Sequence, residues 1–301
     1  MRRPDRGAGS PIRAAPLSSP VRPRVAERAL GLSTRAAMKI LVLIKQVPDS
    51  TTTIRIRPDG GDIDRAGVKM VVNPFDEFAI ELAQQLREKR SDVQQITALA
   101  VGPAGAAEAL RTAMAIGADD AIHLQDGAFE TLDELQTAAL IGAVVRDAGY
   151  DLILCGKQEI DLDSGQLGPA LAERLDWAHV GAVTALEVGA DGRTIEASRR
   201  IEGAEERVRC GLPALLTIEK GLVEPRYPSL PNLMKAKKKP LAVKSAADVP
   251  GFADLAGAVG GTHMHKLEPP PARPAGKQIK GEPAQQAAEL VRLLREEAKV
   301  I

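Results

Sequence analysis

The sequence predicts an α/β fold: a mostly parallel sheet with helices on both faces, antiparallel strands at one edge and an extended carboxy-terminal arm that ends in a helix. Three observations carry this. From Met38 to Trp177, short β-rich apolar runs alternate with helical patterns, the signature of a parallel sheet covered on both sides. Beyond Trp177 strand patterns follow one another through tight turns with no helix between them. After residue 219 the chain turns Pro-rich and irregular before one last amphipathic segment.

The elements follow in order. Residues 1–37 are rich in Arg, Pro, Ala and Gly and show no hydrophobic period, so disorder is expected. An organelle-targeting segment, a flexible tail and a start assigned too early all fit, the last favoured because Met38 stands directly before the first strand. Lys39-Ile40-Leu41-Val42-Leu43-Ile44 reads as a strand buried on both faces. Asn73-Pro74-Phe75-Asp76 reads as a helix start, with Asn as N-cap, Pro at the first helical position and a carboxylate near the positive end. Phe75, Phe78, Ala79, Leu82 and Leu86 continue it at helical spacing. Residues 95–101 read as a strand closed by Gly102-Pro103, 104–116 as a helix, 121–124 as a strand, 132–148 as a helix and 151–155 as another buried strand. Segments 180–188, 194–201, 206–210 and 214–218 read as strands of an antiparallel edge, with a turn at Ala190-Asp191-Gly192. Residues 282–298 read as a helix with Ala287, Leu290, Val291, Leu294 and Ala298 on one stripe, suited to wrapping a partner or packing on its own domain. The expected organisation is therefore an extension over 1–37, an α/β nucleotide-binding domain over 38–222, a partner-recognition loop over 223–240 and an arm with helix over 241–301.

Composition excludes several functions. The first 37 residues hold eight Arg against Asp5 and Glu27, and since the whole chain is formally neutral the remainder is acidic. With 2% aromatic residues besides, a nucleic-acid surface is not expected. No apolar run reaches the ~18 residues of a membrane helix, so the protein is expected to be soluble and not inserted in a membrane. Cys155 and Cys210 form no C-x-x-C pair, and His123, His179, His263 and His265 are not at metal-ligand spacing, so no metal site is expected. No catalytic trio suggests itself; Asp161 and Asp163 read as loop carboxylates that cap or face solvent.

Three strand exits could frame one adenine-nucleotide pocket. Ligands of parallel sheets bind beyond the carboxyl ends of strands, where a loop feeds a helix amino terminus. The strand ending at Cys155 runs into a loop containing Gly156, Gly165 and Gly168, with Pro169 placed as a first helical residue. Free N–H groups near Gly165 and Gly168 would suit a phosphate, although such loops also serve only as turns. The run from Gly102 to Gly105 and that from Leu43 to Asp49 supply the other exits. Neither G-x-G-x-x-G nor a Walker sequence is present. Farther on, Glu224-Pro225-Arg226-Tyr227-Pro228-Ser229-Leu230-Pro231-Asn232-Leu233-Met234-Lys235 is stiffened by three prolines and carries Leu230 at its tip. An apolar anchor on a preorganised loop is what transient protein recognition needs, a solvated linker being the plainer alternative.

With Lys45-Gln46-Val47-Pro48-Asp49, Asn73-Pro74-Phe75-Asp76-Glu77, Gly117-Ala118-Asp119, Gly156-Lys157-Gln158 and Pro270-Pro271-Ala272-Arg273-Pro274, that loop resembles the beta subunits of electron-transfer flavoproteins from Met38 to Ile301. The resemblance implies an adenine nucleotide alpha hydrolase-like fold and a heterodimer with an alpha subunit that holds most of the FAD. It implies an electron carrier rather than an enzyme, taking electrons from acyl-CoA or related dehydrogenases, as in fatty acid oxidation, and passing them to a quinone oxidoreductase. The setting would be cytoplasmic, or the mitochondrial matrix if the chain is eukaryotic. Carried over by motif, a structural AMP would touch Leu43, Asn73, Pro74, Phe75, Asp76, Val101, Gly165, Gln166, Leu167, Gly168, Pro169, Ala170, Leu171, Ala172 and Asp176. The partner-binding set would be Glu224, Pro225, Arg226, Tyr227, Leu230, Pro231, Asn232, Met234 and Lys235. Gly168-Pro169 followed by Ala172-Glu173-Arg174-Leu175 is similar instead to electron-bifurcating relatives, which hold a second FAD in this pocket and use NADH. The loop from Leu230 to Met234 is of the non-bifurcating kind, and AMP is the expectation kept. Ser50 stands where some members carry an aromatic near the flavin edge, which removes the expectation of flavin contact there. A stand-alone adenine-nucleotide-binding regulator is the alternative of another class, but it has no use for the loop and arm.

Overall fold

The computed structural model describes residues 37–258, 261–262, 264–273 and 275–301. The extension expected to be disordered, apart from Ala37, and His263 lie outside the described residues. Strand β1 (Met38–Leu43) shows why the sheet forms: Ile40 and Val42 point into one core and Leu41 and Leu43 into the other, so both faces must be covered. It pairs in parallel with β4 (Val93–Val101) and β6 (Leu152–Gly156). β5 (Asp120–Leu124) continues the sheet beside β4, and β10 (Ala214–Ile218) beside β6. β7 (Ala178–Val188), β8 (Thr194–Ile201) and β9 (Ala204–Gly211) form an antiparallel meander at one edge. With β11 (Leu241–Lys244) the described residues form one nine-stranded sheet in the order β11-β5-β4-β1-β6-β10-β7-β8-β9. A short antiparallel pair, β2 (Gln46–Pro48) with β3 (Met70–Val72), stands apart.

Helices α1 (Pro74–Lys89) and α2 (Ala106–Ile116) cover one face of the sheet. Helices α3 (Glu134–Val145) and α4 (Leu167–Leu175) cover the other. α3 begins at a capping box in which Asp133 Oδ1 accepts from Gln136 N at 2.8 Å and Gln136 Oε1 accepts from Asp133 N at 3.0 Å.

Four expectations need correction. β10 is not part of the antiparallel edge: it lies between β6 and β7 and runs parallel to both. The chain after residue 219 is more ordered than expected, forming α5 (Leu230–Ala236), β11 parallel to β5, and α6 (Phe252–Ala258). α4 starts at Leu167 with Gln166 as N-cap, so Pro169 is its third residue, where proline's missing N–H is still harmless. Asn73 occupies the N-cap of α1 but its side chain makes no capping bond; it is drawn to the loop after β6 instead. The final helix, α7 (Pro283–Glu296), has no buried residue, and its Leu290 and Val291 are exposed.

Candidate functional site

The carboxyl ends of β1, β4 and β6 open into a cavity of about 580 Å³, within the ~300–1,000 Å³ usual for small-molecule sites. Leu43 to Gln46, Val101 to Gly105 and Cys155 to Lys157 supply the strand exits. The amino terminus of α3 contributes Glu134 and Thr137, the loop into α4 contributes Glu159, Asp161 and Gly165, and the start of α4 contributes Leu167 and Gly168.

Asp76 holds two of those exits together. Its carboxyl accepts from Lys45 N at 2.8 Å and from Gly156 N at 2.9 Å, joining the ends of β1 and β6 through the first turn of α1. This approach requires glycine at 156, because a Cβ there would lie 2.5 Å from Phe75 Cβ and 2.7 Å from Asp76 Oδ1. Burial pushes the Asp76 carboxyl up to about 7, against the pull of its backbone donors. Asn73, fully buried, donates to Gln158 O at 3.0 Å and accepts from Ile160 N at 3.3 Å, so the same turn also fixes the glycine loop. His123, buried on β5, steadies the neighbouring exit: facing the Gly102 carbonyl at 3.0 Å, its Nε2 must carry the proton.

The α4 terminus is suited to an anion. Leu167 and Gly168 are its first residues, whose N–H groups have no acceptor within the helix, and no acidic residue occupies the first turn. Gly165 turns the chain toward it at φ +60°, and Gly168 lets the helix approach the sheet so closely that a Cβ would sit 2.4 Å from Thr217 Cγ2.

The other walls are acidic. Six carboxylates (Asp62, Asp76, Glu130, Glu134, Glu159 and Asp161) face three cations (Lys45, Arg65 and Lys157). Burial, reinforced by Glu159, pushes Glu134 up to about 7, while Lys45, 3.0 Å from Asp161 and 4.0 Å from Glu134, pulls it down. Cys155 faces the cavity, but burial first and the neighbouring carboxylates second hold its thiol well above the usual range. It is therefore not poised as a thiolate. Among the described residues no cluster of three or more His, Cys, Asp or Glu is placed to hold a metal ion, and no helix is long and apolar enough to cross a membrane.

Of the fifteen residues expected to touch a nucleotide, Leu43, Asp76, Val101, Gly165, Leu167 and Gly168 line the cavity. Asn73, Pro74 and Phe75 form the turn behind it, and Lys157 Nζ stands 5.5 Å from the centre of the Phe75 ring. Gln166 occupies the N-cap of α4 without a side-chain capping bond, and Pro169 and Ala170 complete its first turn. Leu171 and Ala172 are buried in the core between α4 and the sheet. Asp176 caps the opposite end of α4, roughly 13 Å from its start at 1.5 Å per residue. The sequence reading missed Lys45, Glu134 and Glu159 as lining groups. Asp133-x-x-Gln136 is the sequence signal from which the start of α3, and Glu134 with it, was readable; the convergence of the carboxylates had no sequence signal.

A second feature lies away from this cavity. Tyr227 is 97% exposed, Leu230 74% and Met234 57%, an apolar cluster on and beside α5. Ser229 caps α5, its Oγ accepting from Asn232 N at 3.4 Å, and Pro231 occupies its first turn. Glu224 and Lys235 are exposed and Pro225 is half-buried. Arg226 turns inward onto α1, where it meets Glu81 and Glu88.

The family model described as the electron transfer flavoprotein domain matches residues 61–249. Three proteins named electron transfer flavoprotein subunit beta show how far the similarity extends. That of Bacillus subtilis is 43% identical over 268 residues, 88% of this chain and 100% of the relative. That of Bradyrhizobium diazoefficiens is 38% identical over 264 residues, 88% of this chain and again 100% of the relative. The protein of Bos taurus is 40% identical over 246 residues, 81% of this chain and 93% of the relative.

Proposed function

The chain belongs to the family of electron transfer flavoprotein beta subunits, and from that premise we propose that it clamps the FAD-bearing alpha subunit and holds an AMP in its own cavity as a structural ligand. Electrons would enter from acyl-CoA or related dehydrogenases docking at Leu230 and leave to a quinone oxidoreductase. The subunit makes no bond itself; it brings a flavin within reach of a partner's redox centre.

The observation that carries the nucleotide reading is the cavity at the strand exits, with the N–H groups of Leu167 and Gly168 at the start of α4 at one end and carboxylates elsewhere. The helix terminus suits one phosphate. Carboxylates such as Glu134 and Asp161 suit the hydroxyls of a ribose, to which they offer acceptors. Of α1 to α4 only α4 has no acidic residue in its first turn, which gives the cavity one helix terminus suited to a phosphate and favours AMP over the pyrophosphate of a second FAD. The exposed Tyr227, Leu230 and Met234 support protein docking and disfavour a stand-alone regulator.

The deciding experiment is the nucleotide content of the complex co-expressed with its alpha subunit, measured by acid release and chromatography. One FAD and one AMP per heterodimer is expected. Two FAD and no AMP would overturn the assignment and make the cavity a redox site of the bifurcating kind.

A further inference from the structure

We propose that Arg226 is a positioning residue, acting through a clamp on α1 that presents Tyr227, Leu230 and Met234 to a partner in one fixed arrangement. The inference rests on the docking role given above to this segment.

Glu81 lies in the apolar stripe of α1 between Ile80 and Leu82 and is only 2% exposed, so its carboxylate must find a partner. The guanidinium of Arg226 supplies one in forked geometry: Nε is 2.7 Å and Nη2 2.8 Å from the two Glu81 oxygens. The other side of the same fork meets Glu88, with Nη1 at 2.7 Å and Nη2 at 3.0 Å. The two carboxylates stand two helical turns apart on one face, and the planar guanidinium meets both with separate edges of its fork. The main chain joins in, Arg226 N lying 3.4 Å from Glu81 Oε2. Four of the five N–H donors of the side chain are thus directed into α1, which leaves one Nη1 hydrogen of the fork for an incoming protein.

The far end of the segment is anchored as well. Arg111 Nη1 donates to Ala236 O at 2.7 Å and to Lys239 O at 2.8 Å, and Lys239 Nζ donates to Met114 O at 2.8 Å and to Ala118 O at 2.6 Å. Pro225 and Pro228 stiffen the stretch next to Arg226. Between these anchors the three apolar side chains face water. A flexible segment would fold them inward; one tied at both ends keeps them out, and docking then costs less ordering entropy.

The test uses the assembled heterodimer, varied as the electron acceptor of an acyl-CoA dehydrogenase in steady-state assays, with flavin content measured alongside. Arg226→Gln alone leaves the Glu81 charge buried with Gln85 Nε2, 2.9 Å from its Oε1, as a neutral donor and no cation, which endangers the fold, so the informative variant is Glu81→Gln with Arg226→Gln, a neutral pair. That double variant is expected to raise KM for the heterodimer about tenfold, with kcat within about twofold and flavin content unchanged. Leu230→Ala should raise KM by itself. Adding it to the double variant should give less than the product of the two effects, because the clamp acts through the side chains it presents. An unchanged KM in the double variant while Leu230→Ala raises it overturns the clamp and leaves docking standing, as does full multiplicativity of the two effects. A silent Leu230→Ala overturns the docking reading itself.

Discussion

Replacing Asp76 with asparagine tests whether one buried carboxyl pins the strand exits on which the cavity is built. The carboxyl accepts from Lys45 N at 2.8 Å and Gly156 N at 2.9 Å, and burial pushes its pKa up to about 7 from an ordinary 3.8. Between those values the folded protein keeps a proton that the unfolded chain has released, so stability falls as pH rises through the window. At ~1.4 kcal/mol for each pH unit, this group alone removes about 3 kcal/mol between pH 5 and pH 8. Asparagine does not titrate and offers one acceptor oxygen for two donors, a loss of about 1–3 kcal/mol relative to the protonated carboxyl. The cost of Asp76→Asn should therefore be largest at pH 5 and about 3 kcal/mol smaller at pH 8. Guanidinium unfolding of the nucleotide-free chain, followed by circular dichroism at both pH values, measures it. Taking the difference between variant and wild type cancels Glu134, whose raised pKa gives a slope of its own. An equal cost at both pH values would refute the reasoning: the carboxyl would then be ionised throughout, its two backbone donors outweighing its burial.

Other consequences are equally open to measurement. Gly168→Ala should push α4 off the sheet, since its Cβ would stand 2.4 Å from Thr217 Cγ2; a destabilisation of about 1–3 kcal/mol and loss of bound nucleotide from the purified complex are expected. Removing residues 282–301 deletes a helix with no buried residue, so unfolding of the remaining chain should shift by less than about 0.5 kcal/mol, while size-exclusion chromatography shows weaker assembly with the alpha subunit. Protonation of Asp76 and Glu134, both with pKa about 7, lessens repulsion of a phosphate, so calorimetry should find AMP binding tighter at pH 6.5 than at pH 8 and adenosine binding less affected.

What could be read from the sequence was local. The strand at Ile40 to Leu43 and the start of α1 at Asn73-Pro74 depend on near neighbours and on period, and both stand where expected. β10 shows the limit: Ala-Leu-Leu-Thr-Ile is buried throughout and would suit either pairing direction. Its parallel place arises because the β8–β9 hairpin is an excursion from which the chain returns to the gap beside β6, a non-local fact. β11 was hidden differently, as a short edge strand with exposed Val243 in a Lys-rich neighbourhood. At the cavity, Gly165 and Gly168 were visible as a turn, but Glu134 and Glu159 come from separate segments and meet only in three dimensions. Arg226, a cation in a Pro-rich run, reads as solvent-facing until Glu81 is seen to be buried on the helix beneath it.

Helix α1 serves both features, and its packing says how they are related. Its first turn fixes the cavity through Asp76, and Glu81, about 7.5 Å farther along at 1.5 Å per residue, holds the docking segment through Arg226. Communication between two sites requires an element with two arrangements that each site biases. α1 has a single arrangement: eight of its residues are buried, and its first turn is bonded to two strand exits and to the loop before α4. A nucleotide in the cavity should accordingly add to stability by mass action without altering the docking surface. Stripping the nucleotide from the heterodimer is expected to lower its unfolding midpoint and leave KM for the dehydrogenase within about twofold. A tenfold change in KM would mean that α1 has a second position, and that the bound nucleotide is a regulator of docking as well as a structural ligand.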